Sequence, residues 1–272
     1  MNHPGSAWFD GMKMIFAGVD VGAATAKAVI FGGNKILGYS IIPTGHNVRI
    51  AAEKVTIEAI ERAGISRSVH DLDYVISTGY ARKAVPFAGK SVTEIICHAK
   101  GANFVIPEAR TIIDIGGQDS KAIEVDEKGN VRDFVMNDKC AAGTGRFLEV
   151  MAGVLEVGSI DSMGPMSLGS RNPCRISSTC TIFAESEVVS LRAEGKTRED
   201  LIAGVHRAVG SRVALMARGL KISPSLIFTG GVAKNIGVKK VLEEEFGMDI
   251  LVPEEPQIIG ALGAALLAAA AS

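Results

Sequence analysis

Residues 19–31, "VDVGAATAKAVIF", align without a gap to residues 113–125, "IDIGGQDSKAIEV". Asp20 falls on Asp114, Gly22 on Gly116 and Lys27 on Lys121, with apolar β-formers on either side. Each copy continues as a strand, a polar turn and another strand. The turns, Gly32-Gly33-Asn34-Lys35 and Asp126-Glu127-Lys128-Gly129-Asn130, are both hairpin signals. A second pair follows: "VISTGYARK" (75–83) resembles "LIFTGGVAK" (226–234), each a short apolar strand ending in Thr-Gly. Helical periodicity precedes each, over 48–63 and 201–219. Each half therefore reads strand, strand, strand, helix, strand. That is an α/β protein with a mixed sheet and flanking helices, made twice.

Two like domains facing one another predict a cleft, with an Asp-x-Gly turn on each wall. Glycine lets the backbone approach a phosphate chain because it has no Cβ and tolerates positive φ. A carboxylate beside such a turn suits Mg²⁺, which prefers carboxylates plus retained water. One turn alone reads as an ordinary Gly-rich hairpin. A matched pair with a matched second motif points to nucleotide phosphate.

Composition narrows the classes. The chain has 272 residues, 47% hydrophobic and 22% charged, with 29 basic and 30 acidic residues. That balance, with no Lys/Arg run, argues against nucleic-acid binding through a positive field. The N-terminal "MNHPGSAWFDGMKM" lacks a signal-peptide layout and reads as a disordered extension over 1–14, in which Trp8 has no inferable role. The C-terminal "IIGALGAALLAAAAS" is apolar over 15 residues, short of the ~20 a membrane span needs. Four cysteines without a secretory signal suggest a reducing compartment. The expectation is a cytoplasmic protein that uses neither membrane nor nucleic acid.

The thiols sit oddly. In "NDKCAAGTGRFLEVMAGVL", Cys140 stands directly before Ala-Ala-Gly143-Thr144-Gly145, with a helical pattern from about Phe147. Glycine-rich openings to helices favour anions through free N–H groups and the helix dipole. The anion could be a nucleotide, a metal cluster or both.

The duplicated pattern resembles the actin-like ATPase superfamily, which implies two RNase H-like domains with mixed five-stranded sheets. In that resemblance the first phosphate motif is 19–27, the second 113–119 and the adenosine motif "FTGGVAKN" at 228–235. The interdomain helices start near Gly145 and Gly260. Domain I is expected over 15–98 plus 257–272, and domain II over 99–256. A narrower resemblance rests on "DIGGQDSK", "MNDKCAAGTGRFLEVMA", "ISSTCTIFAESEVVS" and "GALGAALLA", in that order. Together these resemble the ATP-dependent activators of 2-hydroxyacyl-CoA dehydratases, relatives of benzoyl-CoA reductase ATPase subunits, from about Phe16 to the C-terminus.

The resemblance implies ATP/ADP with Mg²⁺. Ala23, Ala24, Thr25, Ala26 and Lys27 would face the phosphates from one wall. Gly116, Gly117, Gln118 and Asp119 would face them from the other, with Gly143, Thr144 and Gly145 close by. Gly230 and Gly231 would pack near the adenosine, and Gln257 would reach the base or ribose. Asp20, Asp114, Gln118 and Asp119 are the candidate catalytic residues, the first two for positioning Mg²⁺ or water. The resemblance also implies one 4Fe-4S cluster per homodimer, two thiolates from each chain, here Cys140 and Cys180. A cubane takes four thiolates, and twofold dimers are the commonest assembly. Cys174 reads either as a buried bystander or as a competing ligand, and Cys97 as a core residue. His46, His70 and His206 read as surface or structural, and Glu185 and Glu187 as acids favoured by a helix dipole.

The implied activity is ATP-coupled donation of one electron to a partner dehydratase, whose acyl-CoA substrate then forms a ketyl radical and eliminates water. Ferredoxin or flavodoxin would supply the electron, and oxygen sensitivity implies an anaerobe. Two rival readings remain: a small-molecule kinase of the same superfamily, and a nucleotide-gated switch without redox chemistry.

Overall fold

The structure is a computed structural model that describes residues 14–177 and 180–271. Apart from Met14, the expected N-terminal extension lies outside the described residues, as do Ser178 and Thr179 of the second cysteine motif. The first half of the chain forms β1 (Phe16–Val21), β2 (Thr25–Gly32), β3 (Lys35–Pro43), α1 (Val48–Ala63), β4 (Tyr74–Thr78), β5 (Lys90–Ser91) and α2 (Glu94–Val105). The second forms β6 (Thr111–Ile115), β7 (Ser120–Val125), β8 (Val131–Asn137), α3 (Gly145–Val154), α4 (Ile160–Leu168), α5 (Thr181–Ala193) and α6 (Arg198–Ala217). It continues through β9 (Leu226–Thr229), α7 (Ile236–Phe246), β10 (Ile250–Leu251) and α8 (Ile259–Ala271).

The chain divides into two compact units. The first runs through Glu108 and takes in Asp126–Val131 and the segment from Gln257 onward. The second comprises Ala109–Val125 and Arg132–Pro256. Each holds one mixed five-stranded sheet, of order β3-β2-β1-β4-β5 in the first unit and β10-β9-β6-β7-β8 in the second. These are the duplicated sheets that the aligned motifs predict. The registers match as well. In the first unit Asp20 pairs with Lys27 across the antiparallel β1–β2 ladder and with Thr78 across the parallel β1–β4 ladder. In the second, Asp114 pairs with Lys121 and Thr229 in the same way.

Local chemistry explains the strand turns. The β2–β3 hairpin turns on Gly33 (φ 56°) and Asn34 (φ 59°), the pair of left-handed residues that a two-residue type I′ turn requires. In the longer second turn the Asp126 carboxylate accepts from the N–H groups of Lys128 and Asn130, both at 2.8 Å, as an Asx-type turn does.

In the first unit α8 covers β1 and packs on α2. Its small residues are a steric requirement. A Cβ at Gly263 would lie 1.7 Å from the Cys97 carbonyl oxygen, and one at Gly18 would lie 1.9 Å from that of Ala261. The core of the second unit joins Ile113, Ile115 and Phe228 of the sheet to Phe147 and Met151 of α3 and Val205 and Val209 of α6. Between β8 and α6 the second unit carries α3, α4 and α5, with no counterpart in the first. Among the described residues no helix is long and apolar enough to cross a membrane.

Candidate functional site

In the first unit the turn after β1 is closed by Gly22 N–H donating to Thr25 O at 3.1 Å. Thr44 braces it, its hydroxyl donating to Gly22 O (2.8 Å) and its N–H to Ala24 O (3.0 Å). Ala23 and Ala24 remain exposed at the tip. Asp20 is almost buried, and its Oδ2 lies 3.3 Å from Lys27 Nζ. Glycine backbone crowds the carboxylate. A Cβ at Gly79 (φ 94°) would sit 2.5 Å from Asp20 Oδ1, and one at Gly260 would sit 3.2 Å from Oδ2 and 3.0 Å from His98 Nε2. The structure thus brings His98, from α2, beside the first aspartate. The reading of Cys97 as a core residue gives no hint of this. The Cys97 thiol is pushed up to about 12 by burial, which keeps it protonated.

In the second unit the corresponding turn is closed by Gly116 N–H donating to Asp119 O at 2.9 Å. Helix α3 buttresses it: Gly145 N–H donates to Gly116 O (2.9 Å) and Arg146 N–H to Gly117 O (2.8 Å), while Thr144 N–H donates to Ala141 O (3.0 Å). The Gly145 and Arg146 donors at the helix opening therefore hold the turn in shape. Gly143 takes φ 85° just before them. Lys121 is fully buried and reaches two carboxylates, Asp114 Oδ2 at 3.3 Å and Asp119 Oδ2 at 2.8 Å. Thr229 Oγ1 donates to Asp114 Oδ1 at 2.8 Å. Thr229 is visible in sequence only as the Thr of the repeated Thr-Gly, whose significance lies in the parallel register.

Gly230 follows with φ 87°, its N–H donating to Pro256 O at 3.0 Å. A Cβ there would fall 2.3 Å from Ile115 O, so only glycine fits. Gly231 opens a short 3-10 turn over Gly231–Lys234 that leads to Asn235. Asn235 Oδ1 caps α7 by accepting from Gly237 and Val238 N–H (3.0 and 3.1 Å), while its Nδ2 donates to Ile160 O at 2.9 Å and lies 3.2 Å from His206 Nε2. Burial lowers His206 to about 4, so the imidazole is neutral at physiological pH. His206 is structural, as the sequence suggests. Gln257 belongs to the first unit, two residues ahead of α8.

The four cysteines sort into two classes. Cys97 and Cys174 are buried, Cys140 is partly exposed and Cys180 is exposed. Burial also raises the Cys174 thiol. Asn137 staples the Cys140 loop, its Nδ2 donating to Cys140 O (2.8 Å) and Ala142 O (3.0 Å) and its Oδ1 accepting from Cys140 N–H (3.2 Å). Cys180 is the N-cap residue of α5. Glu187, in the same helix, accepts from Ser177 N–H and Oγ at 2.8–3.0 Å. Among the described residues no group of three or more His, Cys, Asp or Glu could hold a metal ion. Two accessible thiols supply the donor chemistry of an iron–sulfur centre but only half of a four-thiolate shell. Asp20 in the first unit, and Asp114 and Asp119 in the second, are carboxylates of the donor type that Mg²⁺ takes with retained water.

Two mixed sheets with an Asp-x-Gly turn in each define the actin-like ATPase fold class. Within it, the chain belongs to the BadF/BadG/BcrA/BcrD ATPase family, which it matches over residues 17–268. It is 46% identical over 256 residues to the activator of lactoyl-CoA dehydratase from Anaerotignum propionicum, covering 94% of this chain and 97% of that one. Component A of the Acidaminococcus fermentans (R)-2-hydroxyglutaryl-CoA dehydratase superposes with a TM-score of 0.90 at 42% identity, over 96% of this chain and all of that one. The activator of 2-hydroxyisocaproyl-CoA dehydratase from Clostridium difficile, solved with bound ADPNP, gives a TM-score of 0.87 at 43% identity, over 94% of each chain.

Proposed function

We infer that the chain is an ATP-hydrolysing activator that passes one electron to a partner 2-hydroxyacyl-CoA dehydratase. The observation that carries this is the sorting of its thiols. Cys140 and Cys180 reach solvent ahead of helices in the unit that also carries the Gly116–Asp119 turn, whereas Cys97 and Cys174 are buried. The relatives named as dehydratase activators support the partner class.

In this reading ATP with Mg²⁺ has its phosphates held by the turn through Ala23–Lys27 and by the turn through Gly116–Asp119. Gly143, Thr144 and Gly145 would lie close to the phosphates, and the Gly145 N–H bond to Gly116 O keeps the second turn in shape. Gly230, Gly231 and Gln257 flank the adenosine. Two copies of the chain would each contribute Cys140 and Cys180, which completes a four-thiolate shell on a twofold axis. When bound there, a 4Fe-4S cluster supplies the single low-potential electron, drawn from ferredoxin or flavodoxin. Asn137 fixes the loop that presents Cys140, and the N-termini of the following helices favour the negative charge. A gain of ~200 mV in reducing power needs about 5 kcal/mol, within the reach of differential contacts to ATP and ADP. The setting is the cytoplasm of an anaerobe.

Anaerobic purification with iron and sulfide assay tests the proposal. About four irons per two chains are expected, lost in Cys140→Ser and in Cys180→Ser. Wild-type protein purified anaerobically without iron would overturn it.

A further inference from the structure

The second unit holds a cavity of about 530 Å³, a size typical of small-molecule sites. All of its lining residues belong to that unit. The loop after Cys140 forms one wall through Ala142 and Gly143, and segment 173–177 forms a second. The third is one face of α6, reached at positions 204, 207, 208, 211, 212 and 215, three and four apart. Gly143 is the one lining residue assigned above to the nucleotide; the 116–119 turn and Gly230 and Gly231 do not reach the cavity.

The walls are anchored before any ligand arrives. Cys174 N–H donates to Asp200 O at 2.9 Å, and Ser177 N–H and Oγ donate to the Glu187 carboxylate at 2.8–3.0 Å. The Asp200 carboxylate accepts from Ser170 Oγ (2.7 Å), Arg171 N–H (3.1 Å) and Asn172 N–H (2.9 Å). A Cβ at Gly204 would lie 2.3 Å from the Cys174 carbonyl oxygen, so glycine lets this segment lie against α6. Asn137 Nδ2 holds the first wall through Ala142 O at 3.0 Å. Anchored walls reduce the ordering that binding would otherwise require.

The charge in the cavity is one-sided. Arg175, Arg207 and Arg212 line it, and among the described residues no acid does. Nor does any described residue form an ion pair or hydrogen bond with these three guanidiniums. The nearby acids hold serines instead, Glu187 through Ser177 and Glu245 through Ser211. Between the arginines the lining is apolar, from Phe147, Ile176 and Leu215. A guanidinium presents paired N–H donors that match the oxygens of a carboxylate or a phosphate. We propose that this cavity binds a small organic anion, a phosphate or carboxylate on an apolar body. Arg175, Arg207 and Arg212 take the anionic group, and Phe147, Ile176 and Leu215 cover the body.

Calorimetric titration of the full chain tests this, with Mg²⁺ and AMPPNP present throughout to fill the nucleotide site. The probes are phenyl phosphate, benzoate and inorganic phosphate. One aromatic anion should bind per chain, and the tighter of the two identifies the anionic group. It should bind about tenfold or more tightly than inorganic phosphate, because the ring buries apolar area. Arg207→Glu and Arg212→Glu should each weaken it by about tenfold or more, since each removes charge-assisted hydrogen bonds. Arg218→Glu, at the C-cap of the same helix and outside the cavity, should stay within about twofold of wild type. The three arginines replaced are at least partly exposed, so each variant should melt within about 3 °C of wild type. The assignment is overturned if neither aromatic anion binds saturably by about 10 mM. Inorganic phosphate binding as tightly as both, or wild-type affinity in both Arg207→Glu and Arg212→Glu, would overturn it as well.

Discussion

The second unit should lose stability in mild acid through one buried imidazole. His206 is fully buried in α6, and its Nε2 faces Asn235 Nδ2 at 3.2 Å. That amide cannot turn over to accept from an imidazolium, because its oxygen already caps α7 through Gly237 and Val238 N–H. Protonation therefore costs the burial of a charge and the bond to Asn235, which is why burial holds His206 at about 4 against an ordinary 6.5. The unfolded chain takes up the proton first. The stabilisation is complete above pH 6.5 and is lost progressively as pH falls towards 4, reaching about 3 kcal/mol in all and about 2 kcal/mol by pH 5. Denaturant unfolding at pH 7.5 and pH 5, in wild type and His206→Leu, measures it. The variant should be less stable at pH 7.5, since Asn235 loses a partner, yet its stability should change between the two pH values by about 2 kcal/mol less than wild type. Parallel pH dependence in the two proteins would refute the reasoning.

Gly263→Ala puts a Cβ 1.7 Å from the Cys97 carbonyl oxygen. It should force α8 away from α2 and lower Tm by about 5 °C or more, given overpacking costs of about 1–3 kcal/mol. Lys27→Met removes the ammonium that lies 3.3 Å from Asp20, and ATP turnover should fall by about 10²-fold or more; turnover within threefold of wild type would displace the phosphates from that turn. Cys174→Ser should keep its iron, because the thiol is buried and its N–H is tied to Asp200 O at 2.9 Å; iron loss on that substitution would promote Cys174 to a ligand. Asn137→Ala frees three hydrogen bonds around Cys140 and should speed the release of iron to a chelator without changing ATP turnover.

The doubled sheet was legible because the repeat carries its own register. A gap-free match of Asp20 to Asp114 and of Thr78-Gly79 to Thr229-Gly230 implies equivalent strand neighbours, and the two ladders agree. Helices α1 and α6 were visible as apolar periodicity. The difference between the two aspartates was not legible, because it depends on whether a threonine hydroxyl closes onto a carboxylate. Thr78 and Thr229 share a motif and a register position but not a hydrogen bond. His98 was hidden for another reason: its closeness to Asp20 lies at α8, a segment more than 150 residues later, where a Cβ at Gly260 would meet both side chains. The burial of Cys97 and Cys174 likewise comes from packing between elements remote in sequence, which local spacing does not encode. The donors of Thr144, Gly145 and Arg146 illustrate the same limit. A glycine-rich helix opening suggests free N–H groups, and only the fold reveals that these three serve the chain itself.

Coupling between the nucleotide and the electron is the central expectation for this protein. The direct measurement mixes the reduced, iron-loaded protein with a purified 2-hydroxyacyl-CoA dehydratase under anaerobic conditions and follows dehydration with and without ATP. Dehydratase activity should appear only with ATP, and should be absent with Cys140→Ser or Asp20→Asn in place of wild type. Activation that proceeds equally without ATP, or no activation by iron-loaded wild-type protein across dehydratases of this class, would contradict it.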